Sequence, residues 1–275
     1  MTTNVAARSA PILPVVGVIG AVAALIAVVR IALQSRTGQS WDHEAMSTVY
    51  AGREARLAVL SVLGRVSIGL VAGVLVVCVG AAILRGRRDL AAGALVIVVG
   101  SNVTTQLLKN NFLDRPDLGF GTSNSLPSGH TTVVASAVAA VILVAPAAVR
   151  GLLALGGGAA ATMTGASTIV AAWHRPADVF AALIVCTAWT ALVSIVVQGV
   201  STVSFVDGMF SLVGAGAALI ALVAVGVRPI MGWDGFTEAS LVLGAVAAAT
   251  AAYVWIVCAV VPRVTSETFH VEHQR

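Results

Sequence analysis

Apolar residues occupy most of the chain in eight long runs, which short polar segments separate. The runs cover roughly residues 12–33, 58–84, 89–108, 131–149, 151–172, 177–198, 209–227 and 239–261. An α-helix needs about 20 apolar residues to cross the hydrocarbon core of a bilayer. The runs have about this length and are rich in Ala, Leu, Val and Gly, which favours helices over the alternating strands of a β-barrel. The pattern predicts an all-α integral membrane protein.

Composition supports this fold class. The chain is 58% hydrophobic and only 10% charged, whereas about a quarter of the residues of a soluble domain are charged. The net charge of +4 comes almost wholly from arginine, and in a membrane protein arginine reports orientation, so no nucleic-acid partner is predicted. Cys78, Cys186 and Cys258 lie inside apolar runs and are interpreted as buried small hydrophobes without a disulfide framework.

The placement of arginine predicts the orientation in a cell membrane. Basic residues concentrate in cytoplasmic loops, and the cytoplasmic side is assigned from Arg8, Arg85, Arg87, Arg88 and Arg150. Arginines in the loop at 34–57 oppose this assignment, but the acidic residues of that loop, Asp42 among them, offset their charge. Both termini are then cytoplasmic, and the polar segments 109–130 and 173–178 face outward on the same side of the membrane.

The segment Leu126–His130, with the order Pro-Ser-Gly-His at its end, stands just before the fourth apolar run. Proline and glycine shape a turn, and Ser128 can cap the helix that follows. The exposed N–H groups of a helix N-terminus bind phosphate well, so His130 would stand beside a bound anion. The alternative is an ordinary helix cap with a histidine at the membrane interface.

A second polar segment holds His174 and Asp178, four residues apart and therefore on one face of a helix. A carboxylate in this position can fix the tautomer of the imidazole and stabilise its cation, as in covalent catalysis. The alternative is that Asp178 only caps the sixth span.

Lys109, the only lysine, and Arg115 lie upstream and can bind phosphate, or can snorkel at the end of the third span. The spacing fits a metal site poorly.

Together these elements resemble the three-part signature of the type 2 phosphatidic acid phosphatase family. The family pattern is K-x6-R-P, then P-S-G-H, then S-R-x5-H-x3-D, and this chain has Lys109 to Pro116, Pro127 to His130 and Ser167 to Asp178. The resemblance implies that His174 forms a phosphohistidine, Asp178 orients it and His130 protonates the leaving group. It implies that the phosphoryl oxygens are bound by Lys109, Arg115 and the amides around Ser128 and Gly129. No metal or other cofactor is implied.

The resemblance also divides the chain. Residues 12–198 would form a six-helix phosphatase core, and residues 199–262 would add two C-terminal transmembrane helices that serve as a lipid-facing wall, an oligomer contact or a partner site. Residues 1–11 are a cytoplasmic N-terminus before an uncleaved first helix, and residues 263–275 are a polar tail. The oligomeric state is not predicted.

The chain departs from the family pattern in two places. Five residues rather than six separate Lys109 from Arg115, and Thr168 replaces the arginine that follows Ser167. The Thr168 hydroxyl can donate one hydrogen bond to phosphate and keeps Thr168 among the candidate phosphate-binding residues, but it brings no charge. We hypothesise that Arg175, next to His174, supplies the missing charge.

These residues predict a lipid phosphatase whose site faces outward, acting on phosphatidic acid, phosphatidylglycerol phosphate or a polyprenyl phosphate or diphosphate. A lipid phosphotransferase would use the same residues. A catalytically weakened lipid-phosphate-binding or scaffold protein is a third interpretation, which Thr168 favours. A transporter is a fourth, but transporters usually carry polar groups near mid-membrane and repeated halves, whereas the polar groups here cluster at one interface.

Overall fold

A computed structural model describes residues 12–66, 68–197 and 199–263. The predicted segment 1–11, and the predicted tail apart from its first residue, lie outside the described residues. Within them the chain is almost wholly helical, so the prediction of an all-α membrane protein is confirmed.

Ten α-helices and one small sheet make up the described part of the chain. The helices are α1 (Ile12–Val28), α2 (Arg36–Met46), α3 (Arg53–Arg65), α4 (Ile68–Leu84), α5 (Arg88–Leu107), α6 (Gly129–Val144), α7 (Arg150–Val170), α8 (Pro176–Val196), α9 (Phe205–Ala224) and α10 (Phe236–Val260). Strand β1 (Val49–Ala51) pairs antiparallel with β2 (Val227–Pro229). Short π-helical turns, Val29–Leu33 and Leu108–Phe112, extend α1 and α5.

Six stretches of the described residues are long and apolar enough to cross a membrane: Ile12–Leu33, Arg88–Phe112, Ala147–Val170, Pro176–Val196, Phe205–Ala224 and Phe236–Val260. The predicted run 58–84 differs, because α3 and α4 meet at a bend of 45° and qualify only if they are taken as one span. The charged residues of α3 explain the break, since they disfavour its burial in hydrocarbon. Helix α6, with 16 residues, is shorter than the other spans.

Helix α6 lies at the centre of the bundle, where it contacts α4, α5, α7 and α8. Its inner face is made of small residues, and Ala135, Ala139 and Ala140 are completely buried. Small side chains allow membrane helices to approach closely without a gap between them. This close packing brings the N-terminus of α6 next to the N-terminus of α8.

The last two helices are built into this core. A Cβ atom added to Gly214 of α9 would clash with the carbonyl oxygen of Leu155 in α7, so the two backbones are in direct contact. The hydroxyl of Tyr253 in α10 donates to the carbonyl of Ala135 in α6, at 2.7 Å. Helices α9 and α10 therefore support the helices on which the candidate site residues lie.

Arg150 closes the end of the bundle that lies opposite the polar segments. The residue is buried, and its guanidinium donates to the carbonyls of Cys258, Val261 and Pro262 at 3.0 to 3.3 Å. These carbonyls lie at the C-terminus of α10, where helix geometry leaves them without intrahelical partners. The arginine that served as an orientation marker in the sequence is thus also a side-chain cap for the last helix.

Candidate active site

The turn between α7 and α8 places His174 at the end of the bundle. Ala172 has a φ angle of 56°. Its N–H donates to the carbonyl of Ile169 at 2.8 Å, and the N–H of Trp173 donates to the carbonyl of Thr168 at 3.0 Å. This pair of bonds to a left-handed residue is the Schellman arrangement that ends many helices. The chain reverses at once, so that His174 stands just before Pro176, the first residue of α8.

The left-handed conformation of Ala172 predicts a stabilising substitution. Replacing Ala172 by glycine is expected to raise the free energy of unfolding by roughly 0.5–1 kcal/mol, because relief of the clash at Cβ exceeds the entropy that glycine adds to the unfolded chain. Thermal unfolding of the purified protein in detergent would measure the effect. Ala171, whose backbone is helical, provides the control: Ala171→Gly should destabilise the protein. Equal effects of the two substitutions would contradict the prediction.

His174 and Asp178 form a buried pair. The Nδ1 atom of His174 lies 3.0 Å from Oδ2 of Asp178, and the side chains are only 7% and 2% exposed. The same oxygen accepts the backbone N–H of Arg175 at 3.0 Å and the hydroxyl of Ser125 at 2.6 Å. The carboxylate therefore engages Nδ1 of the imidazole and leaves Nε2 as the nitrogen that can react.

His130 lies in the first turn of α6 and faces the same space. Its ring centroid is 5.5 Å from that of Trp173, with the planes inclined by 42°. The charges of His174 and Lys109 both act on the His130 ring. The structure thus brings together the two histidines and the lysine, although 43 residues separate His130 from His174 and 20 separate it from Lys109 in the sequence. Trp173 forms part of the wall beside them.

Ser128 is the N-cap of α6. Its hydroxyl oxygen accepts the N–H of Thr131 at 3.4 Å, and its own N–H donates to the backbone carbonyl of Asp178 at 2.9 Å. In the part of the chain that the structure describes, the N–H groups of Gly129 and His130 have no recorded acceptor. The Ser128 amide is therefore occupied, while the next two amides remain available to an anion at the helix N-terminus.

Two arginines line the same end of the bundle. Arg115 is 6% exposed; its Nε donates to the carbonyl of Gly121 at 3.1 Å. Arg175 donates from Nη1 to the Ser125 hydroxyl, also at 3.1 Å. Among the described residues, Nη2 of Arg115 and Nε of Arg175 are buried and lack a hydrogen-bond partner. Buried donors are nearly always paired in folded proteins, so these two nitrogens point to a bound anion.

The electrostatics of the pair agree with this interpretation. Burial lowers the pKa of Arg115, and the nearby charge of Arg175 lowers it further, while Asp42 and Asp178 act in the opposite sense. The Arg115 guanidinium still carries its charge at neutral pH because the ordinary pKa of arginine is so high. Two like charges that repel each other in a partly buried position would both be stabilised by a phosphate placed against them.

A model of the PAP2 superfamily matches residues 90–201, a range that contains every candidate residue from Lys109 to Asp178. The match covers the part of the chain that holds the candidate site and is consistent with the type 2 phosphatidic acid phosphatase family. The predicted resemblance to the type 2 phosphatidic acid phosphatases is confirmed for this region, and the match supports a phosphatase or phosphotransferase type of function on lipid phosphates. Comparison with curated proteins and with solved structures found no match to the chain.

Thr168 occupies a supporting position in the PAP2 region. Its side chain is completely buried and its hydroxyl donates to the carbonyl of Gly165, at 2.7 Å. Its own carbonyl accepts the N–H groups of Trp173 and His174, at 3.0 and 3.2 Å. The single hydroxyl proton is thus already used within α7, and in this conformation the contribution of Thr168 is to hold the turn that carries His174.

The predicted first motif, from Lys109 to Arg115, begins in a π-helical turn. Lys109 lies in this turn, Leu108–Phe112, and its carbonyl accepts a hydrogen bond from the side chain of Asn124 at 3.2 Å. The same amide group donates to the carbonyl of Leu113 at 2.7 Å. Asn124 therefore fastens the first motif to the segment that precedes the second.

Sequence reasoning missed several polar residues of the site. The only sequence feature that could have identified Ser125 and Asn124 is their position next to the Pro-Ser-Gly-His motif. Asp42 was interpreted only as a charge that offsets the arginines of its loop. Asp42 is buried beside α8, and no spacing rule links it to the PAP2 motifs. Among the described residues, no group of three or more His, Cys, Asp or Glu side chains is arranged to hold a metal ion.

Proposed function

We propose that this protein is an integral-membrane lipid phosphatase that hydrolyses a lipid phosphate or diphosphate monoester at the outer face through a phosphohistidine intermediate. The observation that carries the proposal is the buried His174–Asp178 pair close to two arginines with unpaired buried nitrogens. A histidine held at Nδ1 is prepared for nucleophilic attack, and guanidinium groups with free donors are suited to phosphate.

The reaction proceeds in two displacements. In the first, Nε2 of His174 attacks phosphorus and forms a P–N bond, while the P–O bond to the lipid alcohol or phosphate breaks. His130 gives its proton to the departing oxygen. In the second, His130 takes a proton from water, the water oxygen attacks phosphorus, and the P–N bond breaks. Phosphate leaves and both histidines return to their starting states. Asp178 accepts the Nδ1–H of neutral His174 before the attack and stabilises the positive charge that the ring gains in the phosphohistidine.

Charges aimed at the phosphoryl oxygens supply most of the catalysis in phosphoryl transfer. We assign this role to Arg115, Arg175 and Lys109, together with the amides of Gly129 and His130. The Ser128 amide and the Thr168 hydroxyl already donate within the protein, and these two residues shape the site. Arg175 then takes the place of the family arginine that Thr168 replaces.

The location of the site favours a lipid substrate. The site lies at one end of the bundle, where a headgroup can enter while its tails remain in the bilayer. Arg85 donates to the carbonyl of Val144 at the opposite end, where Arg150 also lies. Since basic residues mark the cytoplasmic side, the proposed site faces outward and both termini are cytoplasmic.

Phosphate release tests this function directly. The purified protein in detergent with a metal chelator would be given phosphatidic acid, phosphatidylglycerol phosphate, a polyprenyl phosphate and a polyprenyl diphosphate, with His174→Ala protein as the background. We expect release above background from at least one lipid. Phosphorylation of an added alcohol in place of release would identify a phosphotransferase. Background rates with every lipid and acceptor would contradict both activities.

A further inference from the structure

Helix α2 lies at the site end of the bundle, outside the residues matched by the superfamily. It starts with Ser35 as N-cap, whose hydroxyl oxygen accepts the N–H of Gly38 at 3.0 Å. A Cβ atom at Gly38 would clash with the carbonyl of Ile31, so α2 is in direct contact with the end of α1. Its buried residues are Gly38, Gln39 and Asp42. The two buried polar side chains therefore point toward the protein.

Asp42 binds the N-terminus of α8. Its Oδ1 accepts the N–H of Ala177 at 2.9 Å, and the residue is only 8% exposed. Ala177 lies between His174 and Asp178 in the chain and belongs to the first turn of α8, whose amides have no intrahelical acceptor. The contact joins α2 to the turn that carries the proposed nucleophile and its partner.

Gln39 binds the other half of the site. Its completely buried side chain donates from Nε2 to the carbonyl of Leu33 at 2.7 Å and to the carbonyl of Pro116 at 3.1 Å. Pro116 follows Arg115 directly. Helix α2 therefore holds the loop of the phosphate-binding arginine through Gln39 and the turn of His174 through Asp42.

We propose that α2 is a positioning element of the phosphate site, in which Asp42 and Gln39 fix the His174 turn and the Arg115 loop relative to each other. The inference rests on the proposed function. It assigns no chemical step to either residue, since both act through the segments that they hold. Phosphoryl transfer depends on the alignment of nucleophile and charges, so loss of the Asp42 contact reduces turnover although the reacting groups are intact.

The charge of Asp42 adds a second consequence. Burial raises the pKa of Asp42 to about 7; the Ala177 amide lowers it, Asp178 raises it, and Arg175 and Arg115 lower it. Arg30 and Glu238, on the other elements packed against α2, are exposed. Asp42 is therefore neutral below about pH 7 and negative above it. As the pH rises, the net charge of the group that Asp42 forms with Arg115 and Arg175 becomes less positive by one unit. The affinity of this group for anions therefore falls.

The test compares Asp42→Ala, Asp42→Asn and, as a matched control, Glu44→Gln, which changes an exposed carboxylate of the same helix. Asparagine keeps the acceptor for Ala177 but cannot ionise. Two quantities would be measured: kcat/KM for the preferred lipid, and the increase in melting temperature produced by sulfate at pH 6 and pH 8. Sulfate stays a dianion over this range, so any change with pH comes from the protein.

We expect Asp42→Ala to lower kcat/KM on the order of 10- to 100-fold, with Asp42→Asn and Glu44→Gln close to the wild type at pH 6. Stabilisation by sulfate should fall from pH 6 to pH 8 by a larger amount in the wild type and in Glu44→Gln than in Asp42→Asn, because His130 contributes equally in all three proteins. Equal activity of Asp42→Ala and Glu44→Gln, or equal damage in both Asp42 variants, would overturn the inference. A wild type that binds sulfate in this way but releases no phosphate would refute only the proposed function.

Discussion

Replacing His174 by alanine is expected to lower phosphate release from the preferred lipid by at least about 10⁴-fold, which is the scale of loss when a catalytic nucleophile is removed. The residual rate should match that of detergent micelles without protein. The reason is that no other described histidine has a ring nitrogen held by a carboxylate as Nδ1 of His174 is held by Asp178. Initial rates at saturating lipid measure the effect.

A trapped intermediate separates this loss from a defect in folding or binding. Wild-type protein quenched during turnover of a lipid with a labelled phosphate should carry label with the stability of a phosphohistidine, which survives alkali and is lost in acid. His174→Ala should carry none while keeping its melting temperature. His43 is an exposed histidine on α2, beside the ring of Phe120, and His43→Ala should behave like the wild type. Label retained in His174→Ala would place the nucleophile elsewhere.

Most of the helical framework could be predicted from the sequence, because a membrane span is a local property of some 20 apolar residues. The break between α3 and α4 was missed because the run 58–84 is apolar apart from Arg65 and its immediate neighbours, and a single arginine in a span can snorkel to the membrane interface. Helix α2 was taken for part of a loop. Its buried face exists only through contacts with α1, α8 and the loop after α5.

The site was predictable only in part for a related reason. Motif spacing identifies which residue types are present and, through helix geometry, that His174 and Asp178 can meet. It does not reveal which donors remain free. Thr168 and Ser128 were expected to bind phosphate, but their hydroxyl and amide protons are already engaged within the fold. Contacts between distant segments, such as that of Asp42 with Ala177, have no fixed spacing that a sequence pattern could contain.

Arg175→Ala is expected to lower kcat/KM by about 10²- to 10³-fold, the loss typical of removing one donor to a charged transition state, or roughly 3–4 kcal/mol. The predicted family pattern has an arginine where Thr168 stands, and Arg175 has a buried, unpaired Nε. Truncation spares the backbone N–H that Arg175 donates to Asp178, and Ser125 keeps its bond to the same carboxylate. The His174–Asp178 pair should therefore survive, and a steady-state assay beside the wild type would isolate the lost guanidinium.

Two further variants show whether the guanidinium itself is required. Arg175→Lys keeps the charge but loses the planar arrangement of donors, so it should recover only part of the rate. Arg36→Ala removes an exposed arginine of α2 and controls for a general loss of attraction to anionic lipid, which should raise KM only slightly. Adding Thr168→Arg to Arg175→Ala should not restore activity, because position 168 is enclosed within the bundle. Full activity of Arg175→Ala would show that Arg115 and Lys109 supply the positive charge without Arg175. Rescue by Thr168→Arg would show that α7 can move to admit a larger side chain.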